Sequence, residues 1–213
     1  MKTIKPYFII EDKIDGEEIL KKIEKAGRTA YKSEDRITLG SSKNFVKMIL
    51  DMGHESVIER EKITVRVICD RGITHEIVRH RIASYTQEST RFCNYIKGKF
   101  GNQITVIEPC FWELSNEKDK KKYLIWKQAM ENAEKAYMGL IKLDATPEEA
   151  RSVLPNSLKT EIVITMNLRE WKHFLKLRTS KKAHPQMREI VVPLLEEFKK
   201  QIPIVFDDII PNQ

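Results

Sequence analysis

Apolar residues recur at helical spacing in seven parts of this chain, with polar residues between them. A period of about 3.6 residues predicts amphipathic helices that bury one face. Thr74, Thr146 and Asn167 stand where N-caps are expected, and Glu149 and Glu170 complete capping-box patterns after the last two. The predicted helices cover approximately residues 16–31, 45–52, 74–82, 116–142, 147–155, 167–178 and 185–201.

Shorter alternating segments predict the strands. Residues 62–69 and 160–166 are rich in β-branched side chains, which favours strands. Residues 83–95 are polar and predict a loop that ends in a strand over residues 91–96, and residues 104–107 are a further strand candidate. No repeat or interdomain linker interrupts the pattern. We therefore expect one α+β domain over residues 1–213, with a small, mostly antiparallel sheet flanked by several helices.

Composition narrows the class of protein. Of the 213 residues, 41% are hydrophobic and 32% are charged, which is typical of a soluble globular protein. No apolar run is long enough to span a bilayer, and the first residues lack the features of a signal peptide. A cytoplasmic protein without membrane contact is therefore expected. Three widely spaced cysteines do not resemble a disulfide framework or a paired zinc site.

The formal net charge of +7 indicates an anionic partner, which could be a nucleic acid, an acidic membrane or a phosphorylated small molecule. Most of the lysines fit a solvated helix face. Several arginines instead lie inside or beside apolar segments, so they need a specific explanation.

Residues 79–91 form the first candidate site. Arg79-His80-Arg81 is predicted at the carboxyl end of a short helix, followed by a loop of hydroxyl and amide side chains that ends in Arg91. Arginine suits phosphate because its planar fork donates to two oxygens at once. The alternative is structural, since cations stabilise a helix C-terminus through its dipole. Spacing alone leaves both interpretations open.

A second group lies on the helix after Asn167. Arg178 continues the apolar stripe formed by Trp171, Phe174 and Leu175, so its guanidinium is predicted to enter the interior or a cleft. A buried guanidinium needs a partner, and no acid lies within one helical turn. Either an anionic or hydrogen-bonding ligand or a distant acidic residue would supply it.

Metal and dinucleotide motifs are missing from the sequence. His54 and Glu59 are five residues apart, as are His75 and His80, so neither pair shares a helical face. The sequence contains no HExxH, CxxC, GxGxxG or Walker A pattern. A metal site and a Rossmann mechanism are therefore not expected.

Together these groups resemble the flavin-dependent thymidylate synthases, a family that carries Arg-His-Arg-x-x-Ser followed by Ser-x-Arg. The matching segment here runs from Arg79 to Arg91. Its flanks agree in order: Gly53-His54-Glu55-Ser56-x-x-Glu59, Arg151-x-Val-Leu-Pro155, Asn167-x-Arg169 and Leu177-Arg178. The resemblance extends over approximately residues 20–200.

The resemblance implies an enzyme that methylates dUMP to dTMP. Methylenetetrahydrofolate supplies the carbon, FAD is the cofactor and NADPH the reductant, in a homotetramer whose active sites are shared between subunits. Arg178 is then the expected catalytic residue, polarising the uracil so that N3 ionises and C5 becomes nucleophilic. The implied flavin contacts are Ser56, Glu59, Arg79, His80, Arg81, Gln87, Asn167, Leu168, Arg169 and His173. The implied dUMP contacts are Glu76, Arg79, Gln87, Glu88, Ser89, Thr90, Arg91, Arg151 and Arg178.

Some positions depart from the family pattern. Glu76 replaces a glutamine and would repel a phosphate unless it is protonated or paired with Arg79 or His80. Gln87 replaces a frequent glutamate, and His173 replaces an asparagine. Two other functions remain alternatives: a basic nucleic-acid-binding protein, which the scattered arginines disfavour, and a flavin- and nucleotide-binding relative without synthase activity.

Overall fold

The computed structural model describes residues 1–211, and describes only the backbone of Lys99. Within this range the strands are β1 (Lys2–Ile4), β2 (Tyr7–Ile10), β3 (Lys62–Asp70), β4 (Ala83–Gln87), β5 (Thr105–Ile107) and β6 (Lys159–Asn167). The α-helices are α1 (Gly16–Thr29), α2 (Ser41–Asp51), α3 (Arg71–Ile77), α4 (Glu117–Lys142), α5 (Pro147–Ala150), α6 (Leu168–Arg178) and α7 (Pro185–Gln201). Short 3-10 helices cover Glu34–Arg36, Glu55–Arg60, Gly98–Phe100 and Arg151–Val153.

Two sheets organise these strands. The larger has the order β2-β3-β6-β4, and β1 pairs in parallel with β5 in a separate two-stranded sheet. β3 and β6 are antiparallel, since Arg71 N donates to Leu158 O at one end and Leu168 N to Glu61 O at the other. Alternate residues of β6 are buried from Thr160 to Met166, as expected for a strand with one face on a core.

The described residues group into two compact units. The first contains residues 1–7, 67–79 and 86–162, and the second contains residues 8–66, 80–85 and those from 163 onward. Tyr95 and Tyr137 pack edge to face in the core of the first unit. The other buried members of that core are Ile104, Val106, Met130, Ala150 and Leu158.

Aromatic side chains fill the core of the second unit. Trp171 is fully buried, contacts Phe174 and Phe198 edge to face, and donates its indole N–H to Ile63 O at 3.0 Å. Phe206 packs on Phe198. These contacts hold α6 between α7 and the 3-10 helix at residues 55–60, and thereby fix the direction in which the polar residues of α6 point.

Several sequence predictions are confirmed. The α+β class, the antiparallel pairing in the larger sheet, the two central strands and the helices near 16–31, 116–142, 167–178 and 185–201 agree with the structure, with boundaries shifted by a few residues. The last helix continues through Pro193. None of the helices formed by residues 1–211 is long and apolar enough to cross a membrane. The single-domain organisation and the homotetramer remain predictions.

Other local predictions are wrong. Asp70, not Thr74, caps α3 by accepting from Ile73 N at 2.9 Å, because Thr74 is buried and donates to Arg71 O. The helix ends at Ile77, so Arg79-His80-Arg81 follows it instead of forming its last turn. Residues 83–87 form a strand where a loop was predicted, and residues 91–96 form turns where a strand was predicted. The two N-terminal strands were not predicted.

Candidate active site

A polar cavity of about 600 Å³ lies in the second unit. Its volume is in the range of small-molecule sites. Four predicted flavin contacts, Glu59, Asn167, Arg169 and His173, line this cavity together. The remaining lining residues are Glu55, Ile82, Glu170, Lys172 and Lys176.

The start of α6 places these side chains. Asn167 is the N-cap, and its Oδ1 accepts from Glu170 N at 2.8 Å. Arg169 and His173 are four residues apart, so they share the face of α6 that points away from buried Trp171 and toward the cavity. The packing of Trp171 therefore determines where the two polar side chains project.

Arg169 is held between two carboxylates of the 3-10 helix. Its Nη1 lies 2.5 Å from Glu59 Oε1, and its Nε lies 3.6 Å from Glu55 Oε2. The hydrogen bond to Glu59 is the main cause that raises the pKa of Arg169 above its usual value. The guanidinium is half exposed, so an incoming anion could replace either carboxylate as its partner.

Lys172 is the other cation beside these carboxylates. Its side chain is only 10% exposed, and its Nζ lies 3.4 Å from Glu55 Oε1 and 3.1 Å from Asp208 Oδ1. Lys172 also lines a second cavity of about 390 Å³, together with Ile204 and Asp207. The buried ammonium of Lys172 thus contacts an acid of the predicted flavin cavity and an acid of the C-terminal loop, residues 202–209.

His80 lies at the centre of a second buried cluster. Its side chain is 4% exposed and packs edge to face on Phe174, with ring centroids 4.8 Å apart. Its Nδ1 lies 3.2 Å from Glu170 Oε1, and Arg178 Nε donates to its Nε2 at 3.1 Å. The ring centroid of His173 is 5.6 Å away. The structure thus connects His80, His173 and Arg178, three residues that the sequence assigned to the site.

Burial sets the protonation of this cluster. Desolvation, followed by the charges of Arg178 and His173, lowers the pKa of His80 to about 4. Burial also raises the pKa of Glu170, although His173 acts in the opposite direction. The His80–Glu170 contact at 3.2 Å is therefore a hydrogen bond from an uncharged ring at neutral pH, and not an ion pair. Burial and the charge of Glu170 raise the pKa of Tyr85, whose hydroxyl donates to His80 O at 2.6 Å, to about 12.

Arg178 lies half-buried at the end of α6, and a histidine nitrogen accepts from its Nε. His80 is thus one hydrogen-bonding partner of the guanidinium, and the predicted ligand of Arg178 stays a prediction. An arginine side chain can only donate, which fixes His80 Nε2 as the acceptor.

Three side chains of this cluster also lie close enough to share a metal ion. One ligand atom from each of His80, Glu170 and His173 falls within 4.8 Å of the others. However, Arg178 donates to Nε2 of His80, so the guanidinium charge would oppose a cation bound to this ring. The arrangement fits a metal poorly, and the absence of a metal site stays a prediction.

The predicted nucleotide contacts belong mainly to the first unit. Glu88 Oε2 accepts from Lys159 Nζ at 2.9 Å, and Glu88 Oε1 accepts from Tyr95 at 3.3 Å. Burial lowers the pKa of Lys159, but hydrogen bonds to Glu161 and Glu88 outweigh it, and the net shift is upward. Burial is likewise the main cause that raises the pKa of Tyr95, with Glu88 adding to it. The Glu88 carboxylate therefore already has hydrogen-bond donors within the first unit.

Some of the other predicted dUMP contacts are buried or hydrogen-bonded within the protein, and others are exposed. Gln87 Nε2 donates to Thr74 and Thr160, and Thr90 is buried. Arg91 is exposed and pairs with Glu148, with Nε 3.0 Å from Oε1. Glu76 and Ser89 are half-buried, whereas Arg79 and Arg151 are exposed. None of these geometries tests the predicted contact with dUMP.

The remaining flavin assignments also stay predictions. Ser56 and Arg81 are exposed and available to a ligand. Leu168 is fully buried, and its backbone N–H donates to Glu61 O at 2.9 Å. A direct side-chain contact between Leu168 and a cofactor would therefore require rearrangement of the core.

Sequence reasoning missed three residues of the site. Glu170 was assigned to a capping box, yet its carboxylate is buried beside His80. Lys172 and Glu55 received no role, and no local pattern indicated Lys172, because its partner Asp208 lies in the distant C-terminal part of the chain. The His-Glu-Ser segment at 54–56 was a signal for Glu55.

Fold and site together define an α+β protein with a polar small-molecule cavity, lined by equal numbers of acidic and basic side chains besides His173. Residues 14–204 match the family described as thymidylate synthase complementing protein. The chain belongs to this family.

Relatives agree with that assignment, and a solved structure shares the fold. The flavin-dependent thymidylate synthase of Pyrococcus furiosus is 37% identical over 186 residues, which are 87% of this chain and 72% of that protein. The enzyme of the same name from Corynebacterium efficiens is 33% identical over 204 residues, covering 87% of this chain and 78% of that one. The crystal structure of the UMP/dUMP methylase PolB from Streptomyces cacaoi, bound with 5-Br dUMP, superposes with a TM-score of 0.79 over 97% of this chain and 96% of that chain. Its sequence identity is 22%, so this match concerns the fold.

Proposed function

We propose that this protein is a flavin-dependent thymidylate synthase that methylates dUMP to dTMP. Methylenetetrahydrofolate would donate the carbon, and FAD with NADPH would provide the reducing equivalents. The observation that supports this most directly is the shared cavity of Glu59, Asn167, Arg169 and His173, four positions that the family resemblance assigned to flavin. Glu59 is 110 positions from Arg169 in the sequence, and the fold brings it to the three residues at the start of α6.

The donor set suits a flavin. Arg169 and Lys176 offer cationic N–H groups toward a diphosphate, and exposed Ile82 offers an apolar surface beside them. The acids of the cavity do not oppose an anion as strongly as their number suggests, because Glu55 and Glu59 already lie against Arg169 and Lys172. When bound, the flavin would supply the hydride of the reaction.

Arg178 is assigned to the catalytic step. A guanidinium that donates to the uracil carbonyls stabilises negative charge on the ring as N3 loses its proton. This increases the electron density at C5, the carbon that receives the one-carbon unit. Its bond to His80 orients the guanidinium, and the half-buried position strengthens its electrostatic effect relative to water. No cysteine nucleophile is required in this scheme.

The assembly belongs to the proposal as well. We assign the homotetramer with shared active sites, and the dUMP roles of Arg91 and Arg151, on the family resemblance. The cytoplasm is the proposed location, and nucleic acid is not a proposed partner.

Reconstitution tests the function. The purified protein, incubated with FAD, should show the absorbance of a bound flavin, and should oxidise NADPH and form dTMP only when dUMP and methylenetetrahydrofolate are both present. Arg178→Ala should lower dTMP formation at least 100-fold, about 2.7 kcal/mol of lost transition-state stabilisation. Arg66→Ala is the matched control, since Arg66 pairs with Glu11 and does not line the cavity.

Other outcomes would identify the alternatives. Bound flavin without dTMP would indicate a flavin-binding relative that lacks synthase activity. No flavin absorbance, together with DNA or RNA binding that weakens steeply with salt, would indicate the nucleic-acid-binding function instead.

A further inference from the structure

We propose that Glu170 is a positioning residue, which holds His80 in the tautomer that orients Arg178. This inference rests on the proposed function, because it assigns the guanidinium of Arg178 to the reaction. Three side chains carry it: His80 Nδ1 lies 3.2 Å from Glu170 Oε1, and Arg178 Nε donates to His80 Nε2 at 3.1 Å.

The tautomer follows from hydrogen-bond valence. Arginine carries donors only, so the nitrogen that Arg178 contacts must be the acceptor nitrogen of His80. A neutral imidazole has one N–H, which then has to lie on Nδ1. Nδ1 faces Glu170 Oε1, which must accept. The ring proton of His80 thus has one allowed position in this chain of three groups.

Burial protects these hydrogen bonds from competition by water. The side chains of His80 and Glu170 are 4% and 9% exposed, so water has little access to replace either partner. Phe174 packs edge to face on the imidazole, and the His80 backbone carbonyl accepts from Tyr85. The position of the imidazole ring and the backbone of His80 are therefore both fixed, and only the choice of tautomer can still vary.

The tautomer controls Arg178 through geometry. The guanidinium is planar, so a bond at Nε sets its rotation and hence the direction of the two terminal nitrogens. With the proton on Nε2 instead, His80 would present a donor to a donor, and the guanidinium would have to turn away. In metal sites, removing a carboxylate that orients a functional histidine commonly changes affinity or activity by about 10- to 100-fold, and we take this as the scale of the effect.

The first measurement needs no activity. Long-range proton–nitrogen NMR spectra of the flavin-loaded protein, labelled with nitrogen-15 in histidine, distinguish the two neutral tautomers. The His80→Asn spectrum assigns the signal. We expect the Nδ1–H tautomer of His80 at pH 7. The Nε2–H tautomer in the parent protein would overturn the proposal, even if the protein makes dTMP.

Two substitutions test the role of the carboxylate. Glu170→Gln keeps an acceptor oxygen for Nδ1–H, whereas Glu170→Leu removes it. We expect Glu170→Leu to lose the defined tautomer and to lower kcat for dTMP formation about tenfold or more, with a smaller change in the KM for dUMP. Glu170→Gln should keep both the tautomer and most of kcat. Glu196→Leu, at an exposed position of α7, is the control for replacement of a glutamate by leucine.

The outcomes are separable. An equal loss of kcat in Glu170→Gln and Glu170→Leu, with the tautomer unchanged in both, would overturn the positioning role. If Glu170→Leu does not fold, the parent tautomer and the kcat of Glu170→Gln still decide. A parent protein that binds flavin but forms no dTMP removes the proposed function, and the spectrum then reports on the hydrogen-bond chain alone.

Discussion

The buried imidazole of His80 should make the protein less stable in mild acid. Its pKa is lowered from the ordinary value of 6.5 to about 4, chiefly by desolvation and then by the charges of Arg178 and His173. Because the folded state has the lower pKa, the unfolded chain takes up the proton first as the pH falls. The stabilising contribution is thus fully present above about pH 6.5 and is lost progressively toward pH 4.

The magnitude follows from proton linkage. With pKa values of 6.5 and about 4, the free energy of unfolding should fall by about 2 kcal/mol between pH 7 and pH 5 through this residue alone. The full difference of 2.5 units, 6.5 minus 4, corresponds to about 3.4 kcal/mol as an upper limit. Other groups titrate over the same interval, so the comparison requires a variant without this ring.

Urea unfolding of the parent and of His80→Asn at pH 7 and pH 5, at one protein concentration and one flavin loading, isolates the effect. The parent should lose about 2 kcal/mol more than the variant over this interval. His75→Asn serves as the control, because His75 is an exposed histidine on α3. Equal losses in the parent and in His80→Asn would refute the reasoning, since they would mean that His80 charges as readily in the folded protein as in the unfolded chain.

Three further substitutions test the supports of the cavity, each by urea unfolding. Lys172→Met removes an ammonium that two partly exposed carboxylates share, and should cost about 1–2 kcal/mol, less than a fully buried pair would because the carboxylates can rehydrate; an unchanged midpoint would contradict its structural role. Asn167→Ala removes the N-cap of α6 and should cost about 1 kcal/mol, whereas Asn167→Asp should retain most of the stability. Trp171→Ala should cost about 3–5 kcal/mol, and a loss no larger than that of exposed Leu124→Ala would show that the α6 core tolerates a cavity.

The parts of the fold that the sequence predicted correctly are those with a local cause. β6 alternates buried and half-buried residues along its whole length, and α6 begins at an asparagine that caps it. The strands at the N-terminus lack such a pattern. β1 has only three residues and exists because β5 provides a parallel partner about 100 residues later in the chain, so no local periodicity could reveal it.

In the candidate site, too, the residues with a local sequence signal were predicted and those that depend on distant partners were not. Family resemblance assigned Arg169, His173 and Arg178 to the site, which stays a prediction, and the helical period correctly separated the first two from the buried stripe. Glu170 was harder, because its sequence position after Asn167 explains it equally well as a capping residue. Only tertiary structure brings it to His80, 90 positions away. The buried Lys172 was missed because a lysine in an amphipathic helix is ordinarily solvated.

The position of Lys172 has a thermodynamic consequence for the C-terminal loop. Its Nζ bonds Glu55 in one cavity and Asp208 in the loop that contains Ile204, whose backbone has the unfavourable positive φ of 80°. A ligand that drew the ammonium toward the first cavity would weaken its hold on Asp208, and by reciprocity a change in the loop would alter the affinity of that ligand by the same factor. We therefore expect deuterium exchange in residues 202–209 to change when the cavity is filled.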